Sequence, residues 1–235
     1  MNFHHLEWDS TFFDCKVALI DHKSDTSLTE LIPILRNEQY TLAYLFVDPS
    51  NQNLNIEARA NAGLYVDTRT VLCQDLKLSY DTPTGLEYYK DASAEPELEE
   101  LAIRSGVFSR FAYDPKIGTN KFEALYRLWL KRSLLKEIAS ETIVYRHQEK
   151  ICGFVTMSIN TETHNAKIGL IAVAQGMEGM GIGTKLINAV KFIAATKSCC
   201  FLEVVTQKKN EAAMKLYFKT GFHVEEELNT YHFWL

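Results

Sequence analysis

The stretch Val173-Ala174-Gln175-Gly176-Met177-Glu178-Gly179-Met180-Gly181-Ile182-Gly183-Thr184-Lys185-Leu186 constrains this 235-residue chain more than any other. It holds four glycines within eight residues, after an apolar strand-like run. The segment that follows carries Leu186, Ile187, Val190, Ile193 and Ala194 on one helical face. Glycine admits positive φ and lets backbone N–H groups approach a ligand. Free amides at a helix N-terminus, with the positive end of the helix dipole, make a phosphate site. A plain flexible connection does not require its glycines to end where the helix begins. Gly183-Thr184-Lys185 has the wrong order for the nucleotide loop GxxxxGK[ST]. Gly181-Ile182-Gly183 lacks the third glycine and the parallel βαβ setting of a dinucleotide fingerprint.

The setting upstream is three strands, 143–147, 151–159 and 166–173, joined by polar turns as an antiparallel meander. Downstream, 201–206 reads as a buried strand, 210–220 as a helix ended by Gly221, and 222–234 as a closing pair of strands. In the first third, 16–21 and 41–47 read as strands. Residues 27–38 read as a helix with Pro33 near its first turns, 54–62 as a short helix stopped by Gly63, and 64–78 as one or two strands. Residues 81–91, with Pro83 and Gly85, read as a linker. Helices over 95–104 and 120–138 enclose an irregular, aromatic-rich loop at 106–118. The order predicts an α/β (α+β) class, a mixed sheet with helices on its faces. It predicts a smaller N-terminal domain over 1–85 and a larger one over 86–235.

Leu42–Val47, Asn51, a helix and Gly63-Leu64-Tyr65-Val66 repeat the plan of 201–206, Asn210, a helix and Gly221-Phe222-His223-Val224. The N-terminal part is therefore predicted to be a degenerate copy of the C-terminal unit. Four residues before the glycine stands Tyr217 in one unit and Arg59 in the other.

Hydrophobic residues make up 46% and charged residues 23%, the balance of a soluble globular chain. The net charge of −5 argues against a nucleic-acid partner, which needs a basic surface. No apolar run approaches the ~20 residues of a membrane helix, and 1–10 lacks the pattern of a signal peptide. A cytoplasmic protein with no membrane partner is predicted. The five cysteines, Cys15, Cys73, Cys152, Cys199 and Cys200, read as buried reduced thiols, and no His/Cys spacing along the chain predicts a metal. An exposed sheet edge near 231–235 is expected and would permit a homodimer.

Asn210 has the chemistry of a helix N-cap. Tyr217, two turns later, offers a phenol that can protonate a leaving thiolate, or a ring that packs on the sheet. Glu203 and His164 are weighed as proton acceptors, and neither is assigned.

A strand, then x-G-x-G-x-G-x-x-L, a helix, and a strand–Asn–helix unit with tyrosine resembles the GNAT (Gcn5-related N-acetyltransferase) superfamily over about 90–235. The resemblance implies acetyl-CoA as acetyl donor and a small amine as acceptor. It implies pyrophosphate binding by the backbone at Gly179, Met180, Gly181, Gly183 and Thr184. The strand Ile171, Ala172 and Val173 would hydrogen-bond the pantetheine arm, with Asn210 on the same arm and Tyr217 as general acid. Glu178 departs from the family pattern, and a carboxylate there is unfavourable to pyrophosphate unless it points away.

Leu6-Glu7-Trp8-Asp9-Ser10-Thr11-Phe12-Phe13, Ser109-Arg110-Phe111, Leu125-Tyr126-Arg127-Leu128-Trp129 and Lys167-Ile168-Gly169-Leu170 look like bacterial dTDP-fucosamine acetyltransferases. That likeness implies a nucleotide-linked amino-dideoxy sugar as acceptor, with Ser109, Arg110 and Phe111 on its side of the cleft. Phe108 or Tyr113 would share that lining, while Trp8, Phe12 and Phe13 are expected in the core. Arginine suits the role because its fork pairs with phosphate oxygens.

Overall fold

A computed structural model describes residues 3–21 and 27–235. The chain opens with β1 (Phe3–His5), α1 (Glu7–Phe13) and β2 (Val17–Ile20). In α2 (Leu28–Asn37), Ser27 caps the N-terminus by accepting from Glu30 N, and Leu28, Leu31, Ile32 and Leu35 form the buried stripe. Pro33 is the sixth residue of α2, in its second turn, where one i→i−4 bond is forgone. β3 (Leu42–Val47) and α3 (Gln52–Ala60) follow. β4 (Leu64–Asp75) is one continuous strand, and β5 (Glu87–Tyr88) lies within the segment read as a linker.

α4 (Pro96–Ser105) and α6 (Thr119–Leu134) flank the aromatic loop, which contains a short α5 (Arg110–Tyr113). The meander forms as β6 (Glu141–His147), β7 (Lys150–Asn160) and β8 (Asn165–Val173). It is followed by α7 (Ile182–Thr196), β9 (Phe201–Gln207), α8 (Glu211–Lys219) and β10 (His223–Trp234).

Among the described residues ten strands join one mixed sheet in the order β1-β2-β3-β10-β4-β9-β8-β7-β6-β5. β10 is one long strand with two register shifts against β4, not the pair read from the sequence. It runs between β3 and β4, and Tyr231 pairs with Leu45 on one side and Tyr65 on the other. The edge expected near 231–235 is therefore interior, and Tyr231 and Phe233 are 0% and 2% exposed. The pattern missed this because a strand buried on both faces and both edges still alternates like an exposed one in its polar first half. The sheet edges belong to β1 and β5.

Helices cover both faces. α7 and α8 pack Ile182, Leu186, Val190 and Tyr217 against one face of the β7–β9 region. α4, α5 and α6 pack Leu98, Phe111 and Leu125 on the other. α2 and α3 cover β3 and β10 through Leu31, Leu35 and Ala58. Asn51 and Asn210 cap α3 and α8 in the same way, accepting from Leu54 N and Ala213 N. Among the described residues no helix is long and apolar enough to cross a membrane.

Candidate active site

The site begins with one irregularity. Val155 stands opposite Ile171 and Met157 opposite Ile168, so Thr156 faces both Gly169 and Leu170. This is a bulge on β8, and its hydroxyl clasp is Thr156 Oγ1 accepting from Leu170 N at 2.8 Å. A Cβ on residue 169 would lie 2.7 Å from that oxygen, so only glycine fits. On its other side β8 pairs in parallel with β9 from Asn165–Phe201 to Ile168–Val204 and no further. Residues 169–173 thus keep β7 and lose β9. Backbone groups left without a strand partner form a ready hydrogen-bonding edge.

A cleft of about 330 Å³ opens at this parting. Gly169, Leu170 and Ile171 line it from β8, and Val205, Thr206 and Gln207 from β9. Asn210, Ala213 and Tyr217 enter from α8 and its cap, while Phe46, Asp67, Arg69 and Thr230 enter from β3, β4 and β10. Ser109, Arg110, Phe111, Tyr126 and Trp129 close the opposite side. Tyr217 is 2% exposed and packs edge-on to Phe222 at 5.5 Å. Burial lifts its phenol well above the ordinary value, so the proton stays on at neutral pH.

The N-terminal wall is largely polar, through Asp67, Arg69 and Thr230. Asp67 is 3% exposed, and its Oδ1 has no hydrogen-bond partner among the described residues. Burial raises its pKa, with the Thr230 hydroxyl and the Arg110 charge pulling the other way. Arg110 stacks its guanidinium 3.9 Å above the Tyr44 ring and 4.5 Å from Phe111. Its Nη1 and the hydroxyl of Ser109 also have no partner among the described residues. Asp114 fastens α5 to β10, accepting from His232 Nδ1 at 2.6 Å, Trp234 Nε1 at 2.8 Å and Lys116 N at 2.9 Å. Burial opposes its ionisation, but these donors outweigh burial and hold its pKa below the usual carboxylate value. His232 is pushed down by burial, which gives a carboxylate facing a neutral imidazole.

The glycine loop joins β8 to α7. Gly176, Gly179 and Gly181 take φ of 81°, 79° and 80°, and a Cβ on any of them would meet nothing within 4 Å. They serve the turn and leave open space above the backbone. Gly181 is the N-cap of α7, and the first helical bond runs from Lys185 N to Gly181 O. The N–H groups of Ile182, Gly183 and Thr184 therefore precede the ladder. Gly183 has a second reason, since a Cβ there would come within 2.8 Å of Leu216 Cδ2 on α8. The Glu178 carboxylate does not face the helix N-terminus unpaired. It bonds to Arg104 Nη2 and accepts from Gly176 N at 2.6 Å. Backbone hydrogen bonds and the Arg104 charge hold it ionised, and Arg104 Nε also donates to Val173 O at 2.9 Å.

Of the residues singled out from the sequence, the cleft brings together Ile171, Asn210, Tyr217, Ser109, Arg110 and Phe111. Ala172 and Val173 continue β8 toward the loop, and Gly179, Met180, Gly181, Gly183 and Thr184 sit at the α7 terminus outside the cleft lining. Phe108 and Tyr113 do not line it. Glu203 pairs with Lys167 at 2.6 Å and His164 contacts Ser198 O, both away from the cleft. Phe12 and Phe13 are half-buried and pack against the core as expected, whereas Trp8 does not. Trp8 is 36% exposed, stacking on Phe12 and Trp129. Cys200 is exposed and Cys15 and Cys152 are half-buried, so only Cys73 and Cys199 are the buried thiols expected. Asp67 and Arg104 were missed, because nothing near either in sequence marks a contact made by the fold.

A strand that parts from its parallel neighbour, followed by a glycine-rich helix N-terminus and then by a buried tyrosine beside the parting, defines a class. Residues 108–222 match the acetyltransferase (GNAT) family, and the chain carries a GNAT acetyltransferase domain. The spore coat polysaccharide biosynthesis protein SpsD of Bacillus subtilis (strain 168) is 28% identical over 136 residues, 57% of this chain and 46% of that protein. The dTDP-fucosamine acetyltransferase of Escherichia coli O6:H1 is 28% identical over 131 residues, 55% of each chain. Each match therefore spans about half the length of the relative. A GCN5-related N-acetyltransferase from Sphaerobacter thermophilus shares the fold with a TM-score of 0.61 at 14% identity, covering 98% of this chain and 75% of that one.

Thr156→Val keeps the volume but removes the acceptor of Leu170 N–H. Leaving that buried donor unpaired is expected to cost about 1–3 kcal/mol of stability, measured by urea unfolding.

Proposed function

We propose that this chain transfers an acetyl group from acetyl-CoA to the amine of a nucleotide-linked amino sugar. The single observation that carries this reading is one cleft in which Tyr217 and the unpaired backbone of β8 meet Arg110 and Asp67. The amides of Gly183 and Thr184, at the positive end of α7, suit the pyrophosphate of the donor. Residues 169–173 offer N–H and C=O groups along the parted edge, which suits the amide-bearing pantetheine arm.

The acceptor amine attacks the thioester carbonyl, the C–N bond forms, and the C–S bond breaks with the electron pair leaving on sulfur. Tyr217 gives its proton to that sulfur. Its raised pKa keeps the proton available through neutral pH. The free Oδ1 of Asp67 faces the acceptor side and takes the proton that the ammonium must lose. Arg110 is held flat by aromatic rings rather than by a carboxylate, so its N–H groups are available to a diphosphate. The names of the two relatives, one a dTDP-fucosamine acetyltransferase and one a polysaccharide biosynthesis protein, support an acceptor of this class.

The direct test is acetyl-CoA turnover with dTDP-4-amino-4,6-dideoxygalactose against free amino sugars, polyamines and peptide amines. Preference for the nucleotide sugar is expected, and equal rates with the free sugar would remove Arg110 from the acceptor site. Tyr217→Phe is expected to lower kcat about a hundredfold or more with little change in CoA affinity, the usual contribution of a general acid. Asp67 is ionised only above its raised pKa, so turnover should fall as pH drops through that value. Asp67→Asn should remove this acidic limb as well as slow the reaction, which a pH–rate profile would read.

A further inference from the structure

A second cluster lies four residues along β4 from the cleft residue Arg69, about 13 Å at the rise of a strand. Cys73 on β4 and His223 on β10 are directly opposite in the antiparallel register. The register shift between Val224 and Glu226 leaves Glu225 as the extra residue of a bulge. Its carboxylate comes to the same side as the thiol and the imidazole. Cys73 Sγ stands 3.2 Å from His223 Nε2 and 3.4 Å from Glu225 Oε2, and the three donor atoms all lie within 4.8 Å of one another.

The charges around this trio are uneven. Glu226 pairs with Arg69 at 3.0 Å and Glu227 with Lys208 at 2.7 Å. Glu225, in the same run, has no cationic partner among the described residues and is turned instead toward sulfur and nitrogen. A tetrahedral zinc ion with Zn–S of about 2.3 Å and Zn–N or Zn–O near 2.0 Å spaces its sulfur and its N or O ligands about 3.5 Å apart. The trio already has that spacing. A thiolate with an imidazole favours zinc, whereas magnesium and calcium prefer sites built from oxygen alone. His223 and Glu225 are exposed, so a fourth position is open to water.

We propose that Cys73, His223 and Glu225 form a three-ligand zinc site that joins β4 to β10, separate from the cleft. The thiol proton leaves to solvent as the Zn–S bond forms, and the ion clamps the bulge to the strand beside it. The proposal does not rest on the acetyl-transfer reading.

The test uses the full chain and zinc ion alone, titrated against a chromophoric chelator, with cobalt as a spectroscopic substitute. One equivalent of zinc is expected to bind and to raise Tm. Losing only an outer-shell partner of a metal site weakens binding about 10–100-fold, so His223→Ala and Glu225→Gln should cost at least about tenfold. Both positions are exposed and the variants should fold. Cobalt should give a sulfur-to-metal charge-transfer band that Cys73→Ser abolishes and Cys200→Ser keeps. No zinc bound by the unaltered chain would overturn the proposal. Unchanged affinity and an unchanged zinc-induced rise in Tm for His223→Ala would do so as well.

Discussion

The Thr156 hydroxyl accepting from Leu170 N–H carries the rest of the site. It fixes an extra residue in β8, the extra residue bends the strand, and the bend takes β8 away from β9 after Ile168. Without that parting the sheet would close and leave no unpaired backbone for a ligand. Gly169 is the complement of the clasp, since any side chain would displace the hydroxyl. The cleft is thus a defect in a sheet that is otherwise paired, and the surrounding core keeps it from healing. Thr156 and Val155 are themselves 1% and 0% exposed, in a region where packing resists rearrangement.

The second wall of the cleft depends on β10. By crossing back between β3 and β4 it merges the N-terminal strands with the C-terminal sheet. It also brings Thr230 and His232 under α5. Asp114 then ties α5 to His232 and Trp234, which holds Ser109, Arg110 and Phe111 over the parted strands. Arg110 is kept in place by ring faces, an arrangement that orients a cation while leaving its hydrogen bonds free. Buried polar atoms without partners are rare in folded proteins, and among the described residues four of them, on Asp67, Ser109, Arg110 and Thr230, border one cleft. The N-terminal strands therefore contribute chemistry as well as area.

Much of the architecture was legible along the chain. The meander, the glycine turn, the α7 stripe and the Asn210 cap are set by periodicity, turn chemistry and helix-end bonding, all of which act within a few residues. Three glycines at φ near +80° confirm why that residue type recurs in the loop. The family likeness added Ser109, Arg110 and Phe111, and these do reach the same cleft as Tyr217. What failed were readings that needed a partner's identity. β10 was taken for a strand pair with an exposed end, because local alternation carries no information on which strands flank it. The Arg104 partner that engages the Glu178 carboxylate lies 74 residues away, so no local reading could name it.

The sequence alone determined the meander, the glycine-dependent turn and the strand–Asn–helix unit after it, since each follows from the conformational preferences of neighbouring residues. Tertiary structure decided where β8 leaves β9, that Asp67 and Tyr217 line one cleft, and that Cys73 meets His223. Those juxtapositions come from sheet register and helix packing between distant segments. Their energy is spread over the whole core, so no short stretch of sequence encodes them.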